Sequence, residues 1–282
     1  MTDAAFRPRR SCLYMPGANA RALEKAKSLP ADVLIFDLED AVAPEAKDEA
    51  RERVADAVRE GGYGTREIVV RINAADSEWG SADLAAIAPA RPDAILLPKA
   101  TRAADIENVA ADGLPLWAMI EMPLAILNIA EIAAADGLAA FVMGTNDLAK
   151  EMRAVTTPRR EAFAFALSAA VTAARANDLI VIDGVFNAID DKNGLIAEAR
   201  QGRMLGFDGK SLIHPAQINT ANSVFAPSED DIAQARAIVA AFAAPENAGK
   251  GVLRVDGKMA ERLHLAEAER CVAIAEAIAA RA

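Results

Sequence analysis

The sequence predicts an α/β fold: one eight-stranded (β/α)8 TIM barrel followed by a C-terminal helical extension. Three observations predict it. Short apolar runs rich in Val, Ile and Leu alternate with longer stretches of helical periodicity, the pattern of a parallel sheet covered by helices. Eight such units fall within about 210 residues, which suits a closed barrel better than an open doubly wound sheet. No Gly-x-Gly-x-x-Gly turn follows the first apolar run, which counts against a dinucleotide-binding sheet.

In chain order the expected strands are residues 11–15, 33–38, 67–72, 94–97, 115–120, 139–143, 179–182 and 203–207. Each is too short for a helix and is apolar nearly throughout, as expected of a strand buried on both faces. Between them, residues 45–60, 124–133 and 159–176 repeat apolar side chains at i, i+3 and i+4. Their alanine content favours helix further. The barrel is expected over residues 1–226 and the helical extension over 227–282, with helices at 228–243 and 258–281. The Gly- and charge-containing stretch 245–257 between those helices reads as a linker or a lid.

Composition narrows the function classes. A chain of 282 residues with 53% hydrophobic content can bury a large core. Its formal charge of −10 disfavours nucleic acid or an anionic membrane as partner. A local cationic cluster, Arg7, Arg9, Arg10, Arg21 and Lys25, is either a solvated terminus or a patch for a phosphorylated ligand. The two cysteines, Cys12 and Cys271, are far apart and lack metal-ligand spacing. No apolar run is long enough to span a membrane, and residues 1–10 do not resemble a secretory signal, so a cytoplasmic location is expected.

Barrel enzymes place their chemistry at the C-terminal ends of the strands. Those ends here carry Asp37, Glu39 and Asp40, then Arg71 and Asn73, then Lys99, Glu121, Asp147, Asp183, Asp208 and Lys210, all expected at one mouth. Glu121 and Asp147 follow neighbouring strands. As hard oxygen ligands with room for water they suit Mg²⁺, or Mn²⁺ in its place. They also fit a proton-sharing carboxylate pair, and Asp147 alone fits a helix cap. Without His or Cys beside them, zinc is disfavoured. Arg71 presents a planar fork suited to a carboxylate or to an oxygen gaining negative charge, or it forms an internal salt bridge with Asp37 or Glu39. Lys99 divides evenly between an ion pair and a substrate contact. His214 and His264 read as structural or surface residues.

Taken together, these strand ends resemble a known family. The stretches Arg9-Arg10-Ser11-Cys12-Leu13-Tyr14-Met15-Pro16-Gly17, Phe36-Asp37-Leu38-Glu39-Asp40, Val70-Arg71-Ile72-Asn73 and Leu97-Pro98-Lys99 begin the match. Ile120-Glu121-Met122-Pro123, Gly144-Thr145-Asn146-Asp147-Leu148, Ile182-Asp183-Gly184-Val185, Gly206-Phe207-Asp208-Gly209-Lys210 and Ile213-His214-Pro215-Ala216-Gln217 continue it. The chain is similar to the citrate lyase beta-subunit-like family of the HpcH/HpaI aldolase superfamily, which includes malyl-CoA and citramalyl-CoA lyases and malyl-CoA thioesterases.

The resemblance implies Mg²⁺ on Glu121 and Asp147, with Arg71 meeting substrate charge and Asp37 and Glu39 beside it as further catalytic candidates. It also implies coenzyme A contacts at Phe6 and Arg7, with Tyr14 and Lys99 against the substrate. A homotrimer or homohexamer is expected, in which the extension packs on a neighbouring subunit and contributes Glu261 from Gly257-Lys258-Met259-Ala260-Glu261 as an acid–base group. Related lyases commonly have Asp at that last position. The leading expectation is therefore carbon–carbon cleavage of a 3-hydroxyacyl-CoA such as malyl-CoA or citramalyl-CoA, to an acyl-CoA and a 2-oxo acid. The alternatives are a malyl-CoA thioesterase on the same scaffold and a subunit of a citrate-lyase-type complex.

Overall fold

The computed structural model describes residues 7–281. The chain divides into two compact units, Arg9–Phe225 and a second made of Ala226–Ala282 with the residues up to Pro8.

The first unit is a closed barrel of eight parallel strands: β1 (Ser11–Pro16), β2 (Val33–Asp37), β3 (Glu67–Arg71), β4 (Ala94–Leu97), β5 (Leu116–Ile120), β6 (Leu138–Met143), β7 (Ile180–Asp183) and β8 (Gly209–Leu212). Closure comes from β1, which pairs with both β2 and β8. Side chains alternate across each strand and build two cores. Cys12, Ile35, Val69, Leu96, Trp117, Val142 and Ile182 fill the barrel, all buried. Their strand neighbours, such as Leu34, Phe36, Val70, Ile95, Phe141 and Val181, face the surrounding helices. The N-terminal end of the barrel is stoppered by charge. Arg9 bonds both oxygens of Glu67 at 2.6 and 2.9 Å and stacks 5.8 Å from the Trp117 ring.

Seven strands lie where the sequence predicts, within a residue or two, and the eighth does not. Residues 203–205 end the helix Lys192–Leu205, and Gly206, at φ +102°, caps it in the left-handed conformation. The eighth strand begins only at Gly209. The expected helix 124–133 is two short helices, Pro123–Leu127 and Ile129–Ala133, divided at Asn128. Asn128 instead uses its side-chain amide on Thr101 O, at 2.9 Å.

In the second unit the helices Glu229–Ala243 and Arg262–Ala279 pack on each other. Ser228 caps the first: its hydroxyl accepts from Asp231 N–H, and the Asp231 carboxylate accepts from Ser228 N–H, both at 3.1 Å. The stretch expected as a linker or lid contains half of an antiparallel ribbon, β9 (Val252–Val255) and β10 (Lys258–Glu261), turned at Asp256-Gly257 with both residues at positive φ. Ala235, Ala260 and Ala268 are buried, whereas Val252, Met259 and Leu263 are exposed. Among the described residues no helix is long and apolar enough to cross a membrane.

Candidate active site

A layer of charge covers the apolar barrel interior at the C-terminal end. Strand parity puts it there. With Ile35, Val69 and Met119 pointing inward, Asp37, Arg71 and Glu121 two residues on must point inward as well. Asp37 and Arg71 are register partners across β2 and β3. The guanidinium meets the carboxylate fork to fork, Nε on Oδ1 and Nη2 on Oδ2, each at 2.7 Å. Its Nη1 lies 2.8 Å from Glu39 Oε2, and its plane stacks on the Tyr14 ring at 4.9 Å. The Tyr14 hydroxyl donates to Met119 Sδ at 3.2 Å, and burial pushes that phenol well up. The internal salt bridge is thus present, and it fixes Arg71 at the wall of the mouth.

Glu39 reaches back to the same layer. Its Oε1 accepts from Lys99 Nζ at 2.8 Å, and burial raises its pKa against the opposing pull of Arg71 and Lys99. Lys99 is partly exposed and has left-handed backbone, φ 56°. That turn aims its N–H at Glu121 Oε1, 2.9 Å away. Lys99 therefore holds one carboxylate with its ammonium and another with its backbone.

Glu121 is buried, and its Oε2 has no hydrogen-bond partner. Burial, then the Glu39 charge, push its pKa up to about 7, with Asp147 adding to the rise. A buried oxygen that no donor satisfies costs free energy unless a proton or a cation meets it. Gly144 leaves the space open: a methyl group there would stand 2.5 Å from Glu121 Oε2. Gly144 also precedes the helix Thr145–Met152, so Asp147 lies in that helix's first turn, half-buried, and is not its cap. Both carboxylates line a cavity of about 370 Å³ with Tyr14, Asp37, Asp40 and Arg71. Among the described residues no group of three or more His, Cys, Asp or Glu side chains is arranged to hold a metal. Two hard oxygens beside an open cavity fit Mg²⁺, which usually keeps several waters and takes one or two carboxylates plus ligand oxygens.

Three strand-end residues do not face the mouth. Inward Ile180 and Ile182 put Asp183 on the outside of the barrel, wholly buried beneath the helix Lys192–Leu205. Lys210 also faces outward, wholly buried, with its ammonium on Asp183 and Glu198. Asp208 lies before β8 at the opposite end, where its Oδ2 accepts from Val181 N–H at 2.9 Å.

Glu261 and Arg7 belong to the second unit, both half-buried, and Phe6 lies outside the described residues. The Glu261 N–H donates to His264 Nδ1 at 2.9 Å at the start of the last helix. His214 accepts from Ala216 N–H at the turn Pro215–Gln217. Both histidines do structural work.

Sequence reasoning missed Lys47. Buried against the Trp79 ring, it donates to Leu38 O, Glu39 O and Asn73 Oδ1, each at 2.7 Å, and so fixes the turn carrying Glu39. Burial lowers its pKa. The signal was a lysine in the first turn of the helix Lys47–Glu60, where the helix dipole disfavours a cation.

The family model for HpcH/HpaI aldolase/citrate lyase matches residues 10–215, and the chain belongs to that family. Among its relatives is a (3S)-malyl-CoA thioesterase of Cereibacter sphaeroides, 53% identical over 275 residues, spanning 97% of this chain and 96% of that one. The citrate lyase subunit beta of Escherichia coli is 37% identical, over 90% and 89% of the two chains. Among solved structures, the CitE protein of Mycobacterium tuberculosis in complex with magnesium, acetoacetate and coenzyme A matches at TM-score 0.78 and 32% identity, covering 97% of this chain and 99% of that one. The expectation of magnesium agrees with that complex. The thioesterase relatives favour the alternative reading of the sequence over the leading one.

Proposed function

We propose that this protein is a Mg²⁺-dependent thioesterase that hydrolyses a malyl-type coenzyme A thioester. The observation that carries this reading is the 53% identity to (3S)-malyl-CoA thioesterase, which extends over 97% of the chain and so spans both units. The charged mouth supports it, since orphaned Glu121 Oε2 and Asp147 line the same cavity as Arg71.

In this reading Glu121 and Asp147 would hold Mg²⁺, which when bound would supply Lewis acidity to the oxygen atoms of the substrate. Arg71, locked by Asp37 and stacked on Tyr14, offers its remaining N–H donors to the thioester carbonyl oxygen as negative charge develops there. Lys99 and Glu39 hold Glu121 and Arg71 in place. Glu261 of a neighbouring copy takes a proton from the attacking water. Water oxygen bonds to the carbonyl carbon, the carbon–sulfur bond breaks, and Glu261 returns its proton to the departing thiolate, giving malate and free coenzyme A. Arg7 contacts the coenzyme A portion. The assembly is a homotrimer or homohexamer in the cytoplasm.

Carbon–carbon cleavage remains the second reading, because the same metal pair and Arg71 would equally hold an enolate. Products separate the two. Purified protein incubated with malyl-CoA and Mg²⁺ should give free coenzyme A and malate by mass spectrometry. Chelation, or Glu121→Ala with the fold intact, should abolish them. Acetyl-CoA and glyoxylate as the products would make it a lyase.

A further inference from the structure

The motifs Ile182-Asp183-Gly184 and Asp208-Gly209-Lys210 leave the mouth without a part in it, yet two of their side chains are wholly buried ions. They meet Arg160 and Glu198 behind the barrel wall. Asp183 Oδ1 accepts from Arg160 Nη1 at 2.7 Å, and its Oδ2 from Lys210 Nζ at 3.2 Å. Lys210 Nζ also donates to Glu198 Oε1 at 2.7 Å. Arg160 Nε bonds Gln201 Oε1 at 2.9 Å, while its Nη2 is buried without a partner. Two acids and two bases thus balance in a buried site, with only Glu198 reaching slightly toward solvent. A buried ionic group of this kind contributes little net stability compared with apolar packing, so its use has to be sought elsewhere.

The cluster grips one residue that lies between it and the mouth. Gly184 donates its N–H to Asp183 Oδ1 at 2.8 Å, and its carbonyl oxygen accepts from Lys210 Nζ at 2.5 Å. Ser211 Oγ fixes the preceding carbonyl, Asp183 O, at 3.0 Å. Held on both sides, Gly184 abuts Thr145: a methyl group on it would stand 2.6 Å from Thr145 Oγ1 and 2.8 Å from Cγ2. Thr145 opens the helix whose first turn carries Asp147, and the residue before it, Gly144, lies against Glu121. The chain of contact therefore runs from the buried ions through Gly184 and Thr145 to the two carboxylates.

We infer that Asp183 and Lys210 are positioning residues for the Glu121–Asp147 cation site, setting through Gly184 and Thr145 where the Asp147 helix begins. This rests on the metal reading given under Proposed function. The ions never touch the cation; they fix the wall against which one of its ligands is registered. Outer groups that orient a ligand commonly govern metal affinity by about 10–100-fold.

The test is Mn²⁺ uptake by the full-length protein, read by electron paramagnetic resonance, with folding checked by circular dichroism. Lys210→Met and Gly184→Ala should each weaken uptake by about tenfold or more. Thr145→Ala added to Gly184→Ala removes the two nearest colliding atoms, and most of the lost affinity should return. A general loss of stability would not produce that rescue. If Lys210→Met does not fold, Gly184→Ala and its rescue decide alone. Uptake lost in Glu121→Gln but unchanged in folded Lys210→Met and Gly184→Ala would overturn the positioning role and leave the metal reading standing. Absence of uptake by the unaltered protein, or uptake that survives Glu121→Gln, would overturn both.

Discussion

Glu121 carries an unmet demand. With Oε1 satisfied by Lys99 N–H and Oε2 by nothing, its raised pKa of about 7 stands above the ordinary carboxylate value of 4.5. The folded protein therefore holds this proton more tightly than the unfolded chain does. Its contribution to metal-free stability is fully present below about pH 4.5 and is lost as pH rises through about 7. A cation on the ionised pair reverses that loss. Mg²⁺ should accordingly raise the melting temperature more at about pH 8 than at about pH 6. Glu121→Gln should flatten both the pH slope and the Mg²⁺ response. Equal Mg²⁺ shifts at both pH values in the unaltered protein would remove Glu121 from the ligand set. The inward direction of Asp37, Arg71 and Glu121 was legible in the sequence, because each sits two residues beyond an inward apolar side chain. The same parity sends Asp183 outward, and treating every strand-end charge as part of the mouth overlooked it. The pairing of Arg71 with both Asp37 and Glu39 depends on register, which the sequence offers only as one alternative.

At the level of elements, seven strands could be read from their apolar runs, and the eighth shows where that signal fails. Residues 203–207 are a short run with one adjacent apolar pair, Met204-Leu205, and Phe207 beyond Gly206, and over such a length helix and strand periodicities cannot be told apart. The deciding feature is Gly206, whose left-handed conformation ends the helix and frees Gly209–Leu212 to join the barrel. Gly206→Ala should lower stability by about 1–2 kcal/mol, measured by urea denaturation, because a side chain strains that backbone. The added methyl would also crowd Val171 Cγ1 at 3.2 Å. A neutral result would place the helix stop elsewhere. The β9–β10 ribbon escaped notice for a different reason. Its strands are four residues each with half-exposed patterns, too short for alternation to stand out.

For the whole molecule, the division into two units puts Glu261 on a different unit from the charged mouth. If its proton-transfer role is served between copies, two inactive proteins should repair each other. Glu121→Ala and Glu261→Ala chains, unfolded together and refolded as a mixture, should recover measurable hydrolysis that neither regains alone. No recovery, with mixed assemblies present by native mass spectrometry, would confine Glu261 to its own copy's chemistry or to none. The barrel itself carries one more consequence. Its interior is filled by side chains from Cys12 to Ile182, and Arg9 with Glu67 plugs the far end. The mouth is a cul-de-sac. A ligand that reaches the charged layer has no passage through the barrel and leaves by the side it entered. Under the proposed hydrolysis, both product fragments would have to leave through the one entrance that admitted the thioester.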